Sequence, residues 1–327
     1  MPEGSTTFKD EIRGEVSFDH KFVPDFVLVR ADGSPLYTLA VAVDDILMKV
    51  THVLRGEDLL SSTPRQIRVY QAMGVKEQDY PVFAHLPFVM GQDNAKLSKR
   101  NGEVSIAWYR EQGYLPEAIC NYLALLGWSP GDDRENISMK ELTELFTVEK
   151  VHSSPARFDM KKLEAINGDK IRALTIDDFL KWSLPFLTRE NVISGTDEEI
   201  SLVKQALPLI QERIVKLDEV PAMLKFLFVK QFKVEEASVS KITDTASKDV
   251  LKRSLKELEP LSTWNHDSIE AALRSSLIED MGLKPRIAFG AVRIATTGST
   301  ISPPLFESME LLGKEASLAR ITAALAL

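Results

Sequence analysis

The chain has 327 residues, a net charge of −8 and a pI near 5.4, with 44% hydrophobic and 27% charged residues. Those values fit an ordinary globular protein of two or three domains, and the acidic balance speaks against an indiscriminate nucleic-acid binder while leaving room for a local basic patch that reads one RNA. With Cys120 as the single cysteine no disulfide framework or Cys/His zinc site can form, no apolar run reaches the ~18 residues of a membrane span, and the opening MPEGSTTFKDEIRGE lacks a secretory pattern, so a reducing cytoplasm is the expected location.

Taken in chain order, residues 15–43 read as strands. Val27-Leu28-Val29 and Leu36–Val41 flank Asp32-Gly33-Ser34-Pro35, the turn chemistry of a hairpin. Residues 44–50 read as a short helix. Thr51–Arg55 is the next strand, Thr63-Pro64 opens a helix to about Met73, and Tyr80–Met90 reads as a further strand. This β-α-β order is what a parallel sheet requires.

Beyond residue 100 the hydrophobic period becomes helical. Ile106–Tyr109 and Ala118–Leu126 recur at helical spacing, the second opened by Leu115-Pro116-Glu117 and closed by Gly127. Cys120 falls inside that second pattern and reads as a small core residue. From 139 onward nearly every segment reads as helix, including Lys140–Phe146, Met160–Asn167, Asp177–Leu187, Glu198–Leu217 and Val220–Phe228. Ser194-Gly195-Thr196 and residues 236–245 are the best linkers, and no internal repeat is seen.

Two clusters carry chemistry. Lys96-Leu97-Ser98-Lys99-Arg100 places three cations after the turn-forming Gly91-Gln92-Asp93-Asn94. Flexible ammonium groups can follow charge on a triphosphate, although a string of this kind standing alone is most often a solvated turn. The second cluster, Arg55-Gly56-Glu57-Asp58, ends a strand, where open α/β sheets place their ligands. Arg55 could hold a substrate carboxylate, and Glu57 or Asp58 a ribose hydroxyl or base amine. The bland alternative is a surface ion-pair cluster. Tyr37 could offer its hydroxyl to the same ligand. His85 reads as structural, and no two histidines stand at metal-ligand spacing.

The strings around these clusters extend the argument. SPLYTLAVAVDD, KVTHVLRGEDLLSSTPRQ, FAHLPFV, LPEAICNYLALLGWS, SPARFDMKKLEAINGDKIR and ATTGSTISPPLFESMELLGKE resemble the bacterial glutamyl-tRNA synthetases, class I aminoacyl-tRNA synthetases, from about residue 5 to the C-terminus. KLSKR stands where that class carries its KMSKS loop. The resemblance implies α/β plus all-α architecture: a partial Rossmann-type catalytic half, a stem-contact region and an all-helical anticodon-binding region. The implied divisions are 1–38 (remnant of an acceptor-stem insertion), 39–74 (second catalytic half), 75–172 (stem contact, with KLSKR), and two anticodon-binding subdomains, 173–237 and 238–327.

By the same resemblance, Lys96 and Lys99 act on ATP phosphates, with Ser98, Asp58 and Val89 completing the ATP site. Tyr37 and Arg55 take glutamate. Arg213, Arg293, Ser302, Pro303 and Leu305 face the anticodon. The implied substrates are ATP with Mg2+, L-glutamate and tRNA-Glu, with tRNA-Gln left open as a second tRNA. No protein-bound metal and a monomeric parent are expected. The glutaminyl branch, which ends in β-barrels, fits the helical tail less well.

Two departures qualify this. Val41 stands where the family has an asparagine. No HxGH motif occurs, and the first Rossmann half is missing, so the chain is expected to start inside the acceptor-stem insertion and to form no glutamyl-adenylate alone. A non-catalytic tRNA-binding module derived from such an enzyme is the alternative.

Overall fold

A computed structural model describes residues 2–91, 97 and 105–327. The chain divides into two units, residues 1–108 with 116–166, and residues 109–115 with 167–327.

In the first unit, β1 (Ser5–Asp10) turns back into β2 (Gly14–Asp19) in antiparallel register. Asp10 ends β1 because its carboxylate takes the backbone N–H groups of Ile12 (3.0 Å) and Arg13 (2.9 Å), replacing the ladder bonds the turn forfeits. After α1 (Tyr37–Leu47) come β3 (His52–Gly56), α2 (Thr63–Ala72) and β4 (Val82–Leu86). The strand order is β2-β1-β4-β3, with β4 parallel to both β1 and β3. The β3-α2-β4 crossover matches the sequence expectation.

The α2 helix buries Thr63, Gln66, Ile67 and Tyr70, a spacing that gathers them on one helical face. That face packs with Ala42 and Phe83, and with Leu39, Ile46 and Val53 at the margin of the core.

The hairpin expectation is corrected here. The Asp32-Gly33 turn does form, with Gly33 at φ 85°, but only Val29 and Pro35 bridge across it. Leu36–Val41 does not return as a strand, because Tyr37–Leu47 is helical. Leu39, Ala42 and Ile46 fall at i, i+3 and i+7, and this stripe packs into the core, which outweighs the local β-propensity of the two valines.

The remainder of the first unit joins β5 (Val89–Met90) to β6 (Ala156–Arg157) in parallel. It also carries the start of α3 (Ile106–Glu111), α4 (Pro116–Leu125), α5 (Met139–Leu145) and the start of α6 (Met160–Arg172). Buried Asn121 on α4 ties the chain at 135–137, accepting from the Ile137 N–H (2.8 Å) and donating to the Glu135 carbonyl (3.0 Å). Cys120, expected in the core, is exposed: the buried face of α4 runs through Ala118, Asn121 and Tyr122, and Cys120 falls off it.

In the second unit α7 (Ile176–Arg189) starts on the side-chain cap Thr175, and α8 (Asp197–Ala206) on a Thr196/Glu199 capping box. The single helix expected over Glu198–Leu217 is corrected. It ends at Ala206, a 3-10 turn over Leu207–Leu209 contains Pro208, and 3-10 turns flank α9 (Val220–Leu224). Proline lacks the N–H that would extend the α-helix.

Then follow α10 (Glu236–Val239), α11 (Thr245–Leu258), α12 (His266–Leu273), α13 (Pro285–Thr297), α14 (Leu305–Leu312) and α15 (Lys314–Leu325). They enclose one core that includes Leu251, Leu273, Val292, Met309 and Ile321. Among the described residues no helix is long and apolar enough to cross a membrane.

Candidate functional site

The parallel register decides what lies at the carboxyl end of the small sheet. Arg55 on β3 pairs in register with His85 on β4, and Asp10 ends β1 on the other side of β4. Three neighbouring strands therefore present Asp10, His85 and Arg55 in a row. The Asp10 carboxylate meets His85 Nδ1 at 2.5 Å, both side chains fully buried, and its other oxygen takes the His85 backbone N–H at 3.2 Å. The opposite ring nitrogen, Nε2, receives the Nε–H of Arg55 at 3.0 Å.

The protonation states follow from these contacts. Burial raises the Asp10 pKa, but the hydrogen bonds from His85 and from the backbone N–H groups of Arg13, His85 and Ile12 outweigh it, and the net pKa is lowered. For His85, burial is the largest influence and lowers its pKa. The Asp10 bond opposes this, Arg55 and Arg13 add to the lowering, and the ring is held neutral. With Nδ1–H donating to Asp10, Nε2 is an acceptor, as an arginine neighbour requires.

The rest of the Arg55 guanidinium is also held by uncharged groups. Nη2 donates to Thr63 Oγ1 (2.9 Å), Gln66 Oε1 (2.8 Å) and the Leu59 carbonyl (3.3 Å), and the cation lies 6.0 Å from the Phe83 ring. Among the described residues Nη1 has one long contact, to the Tyr37 hydroxyl at 3.4 Å. Among the described residues no carboxylate lies within ion-pair distance of Arg55. A fixed, half-buried cation with neutral supports and one lightly engaged end can receive an anion, since the attraction is screened less there than at a free surface.

The adjoining loop is anchored by Glu57, whose carboxylate takes the Phe88 N–H at 2.9 Å and pairs with Arg13. Asp58 stands exposed in the 3-10 turn that follows β3. The Val89 carbonyl accepts the Leu97 N–H at 2.9 Å. Lys96, Ser98 and Lys99 lie outside the described residues. Among those described, no group of three His, Cys, Asp or Glu residues could hold a metal ion.

The second unit gathers the remaining expected residues. Arg293 on α13 donates from Nη1 to Ser302 Oγ (2.8 Å) and to the Pro303 carbonyl (2.8 Å), fixing the turn before α14. Burial lowers the Arg293 pKa and the nearby charge of Arg213 lowers it further. Arg213 itself is exposed, on the irregular segment after the 3-10 turn, so the two cations face a common region. Ser302, Pro303 and Leu305 are buried, and Leu305 belongs to the helical core. Beside Arg293 a cavity of about 630 Å³ is lined by Lys241, Arg286, Ile287, Phe289 and Thr300.

Sequence reasoning passed over Asp10, Thr63 and Gln66, and read His85 as structural. Thr63 and Gln66 were in principle detectable, as polar residues recurring on the buried face of α2. Asp10 had no local signal, because it lies 75 residues from the histidine it holds.

Known proteins share this layout of a small mixed sheet followed by a helical body. Residues 1–165 match the catalytic domain of the class I tRNA synthetases (E and Q), and residues 176–325 match the anticodon binding domain. The chain belongs to the class I tRNA synthetase family of the glutamate and glutamine branch. Its relatives there are glutamate–tRNA ligases. That of Nocardioides sp. is 50% identical over 332 residues, 99% of this chain and 67% of the relative. That of Saccharopolyspora erythraea is 49% identical over 331 residues, 99% of this chain and 66% of the relative.

Among solved structures, a glutamate tRNA ligase from Elizabethkingia meningosepticum in complex with its amino acid superposes with a TM-score of 0.82. It is 30% identical, with 99% of this chain and 66% of that one covered. The glutamate-tRNA synthetase from Elizabethkingia anophelis gives 0.81 at 29% identity, with 100% and 67% covered. The chain spans about two thirds of the length of the relatives it matches.

Proposed function

We propose that this chain takes part in the glutamate–tRNA ligase reaction, in which glutamate is activated by ATP and esterified to tRNA-Glu. The state of Arg55 carries the reading. Its guanidinium is clamped on neutral partners, and its Nη1 end sits beside the Tyr37 hydroxyl, which suits a glutamate carboxylate. In this reading Asp58 and Val89 border the adenosine, while Lys96, Ser98 and Lys99 attend the phosphates, whose Mg2+ arrives with the nucleotide. Arg213 and Arg293, with the turn at Ser302, Pro303 and Leu305, receive unstacked anticodon bases, the part of a tRNA that side chains can read. The start of α7 at Ile176 supports a boundary near residue 173 for the first anticodon-binding subdomain.

The 327 residues contain no HxGH sequence, which favours a narrower role for this chain by itself: tRNA and glutamate binding without adenylate formation. Two measurements test the proposal. Calorimetry should detect L-glutamate binding that Arg55→Ala removes, and equal binding by that variant would refute the role of Arg55. Glutamate-dependent ATP–pyrophosphate exchange should be absent from the isolated chain, and a measurable rate would overturn the narrower role.

A further inference from the structure

Arg55 is aimed by a device that reaches across three strands. Its Nε–H ends on His85 Nε2 (3.0 Å), and the ring is pinned from behind by Asp10 (2.5 Å), which is itself fixed by the Ile12 and Arg13 N–H groups. A guanidinium is planar, so holding Nε and Nη2 leaves its plane one orientation, with Nη1 outward. We propose that Asp10 and His85 are positioning residues for the Arg55 anion site: His85, anchored through Nδ1 on Asp10, presents Nε2 to Arg55 and so fixes the guanidinium with Nη1 toward the ligand. This rests on the assignment of Arg55 to glutamate made above.

Three features support a positioning role over simple core packing. Both Asp10 and His85 are fully buried polar groups, and each ends on a named partner. The row coincides with the strand order β1-β4-β3, so each contact lies between adjacent strands. The supports of Arg55 are uncharged, so the cation is held without being neutralised. A carboxylate in place of His85 would hold it equally well and would compete with the ligand. The charged groups facing His85 are Asp10 from β1, Arg13 from the following turn and Arg55 from β3. The α2 helix contributes Thr63 Oγ1 at 3.4 Å.

The test uses 1H–15N correlation spectra of the 327-residue chain together with L-glutamate calorimetry. The His85 ring should show the Nδ1–H tautomer, and finding Nε2–H instead overturns the proposal. The Arg55 Nε–H signal, identified by its loss in Arg55→Lys, should exchange slowly and disappear at the pH where His85 titrates. If His85 titrates while that signal stays unchanged, the proposal is overturned without reliance on any variant.

Two substitutions then separate positioning from packing. His85→Gln keeps an acceptor near the Nε2 position and should bind L-glutamate within about threefold of the parent. His85→Asn keeps only the Asp10 side and should bind about tenfold or more weakly, as the loss of a hydrogen bond to a charged group implies. Equal affinity of folded His85→Asn and the parent counts against positioning. The underlying assignment fails separately, if Arg55→Lys leaves binding unchanged or the parent chain binds no L-glutamate. The tautomer and exchange measurements would still judge the geometry.

Discussion

Arg55 and His85 are register partners on adjacent parallel strands, and the guanidinium donates to the imidazole at 3.0 Å. An imidazole can accept there only while it is unprotonated, so this contact ties the fold to pH. The pKa of His85 is lowered by burial and by Arg55, so below the unfolded value of about 6.5 the unfolded chain takes a proton that the native chain refuses. The pKa of Asp10 is also lowered in the native state, so its contribution is present above the ordinary aspartate value of 3.8 and is lost as pH falls further. Both signs agree that acidification destabilises the small sheet.

Denaturation at pH 7, 6 and 5, read by exchange protection of the β4 amides, should therefore show stability falling from pH 7 to pH 5. In His85→Asn that slope should flatten, since the histidine that titrates is gone. A parent stability independent of pH across this interval would count against the buried neutral ring.

Gly113 makes a second test, within the second unit. Its φ is 82°, and a Cβ there would stand 2.5 Å from the Leu217 backbone nitrogen. The close approach lets the Gly113 carbonyl take the Leu217 N–H at 3.1 Å. Gly113→Ala should lower stability by about 2–3 kcal/mol, from the strained backbone and from a clash that backbone atoms cannot relieve by rotating. Thermal unfolding of the variant checks this, and a melting temperature equal to the parent's would contradict it.

Arg320 is nearly buried and bonds two backbone carbonyls, Thr296 (2.7 Å) and Phe226 (2.8 Å), with its guanidinium 4.0 Å from the Phe232 ring. Burial brings its pKa down to about 10. The side chain thus links α15 to the end of α13 and to the turn after α9. Arg320→Met should keep much of the apolar volume yet leave both carbonyls without these donors, costing about 2–4 kcal/mol. Chemical denaturation should register the loss, and an unchanged midpoint would show that water satisfies the carbonyls.

For the tail, Arg213 is exposed while Arg293 is committed to the turn at Ser302 and Pro303. The two substitutions should therefore differ in kind. Arg213→Ala should narrow the affinity difference between tRNA-Glu and an anticodon variant, with little change in thermal stability. Arg293→Ala should reduce stability and affinity together, because the turn loses its tie. Binding to both tRNAs should weaken with salt through counterion release. A uniform loss across anticodons for Arg213→Ala would remove it from base reading.

Much was determined by local order along the chain. The apolar runs of β3 and β4, the Thr63-Pro64 helix start and most of the helical periods after residue 139, that over Glu198–Leu217 excepted, correspond to elements, because those signals are short-ranged. The strings shared with the synthetase family identified the chain's kin from residues alone. Tertiary structure decided what local signals could not.

Tyr37–Leu47 is a helix because the stripe through Leu39, Ala42 and Ile46 has a core to enter, whereas its valines and the preceding turn chemistry favour a strand. Cys120 is exposed because the phase of α4 is set by what it packs on. Asp10 and Arg55 share one histidine only because β1 and β3 flank β4 in parallel, a non-local pairing that no window of sequence contains.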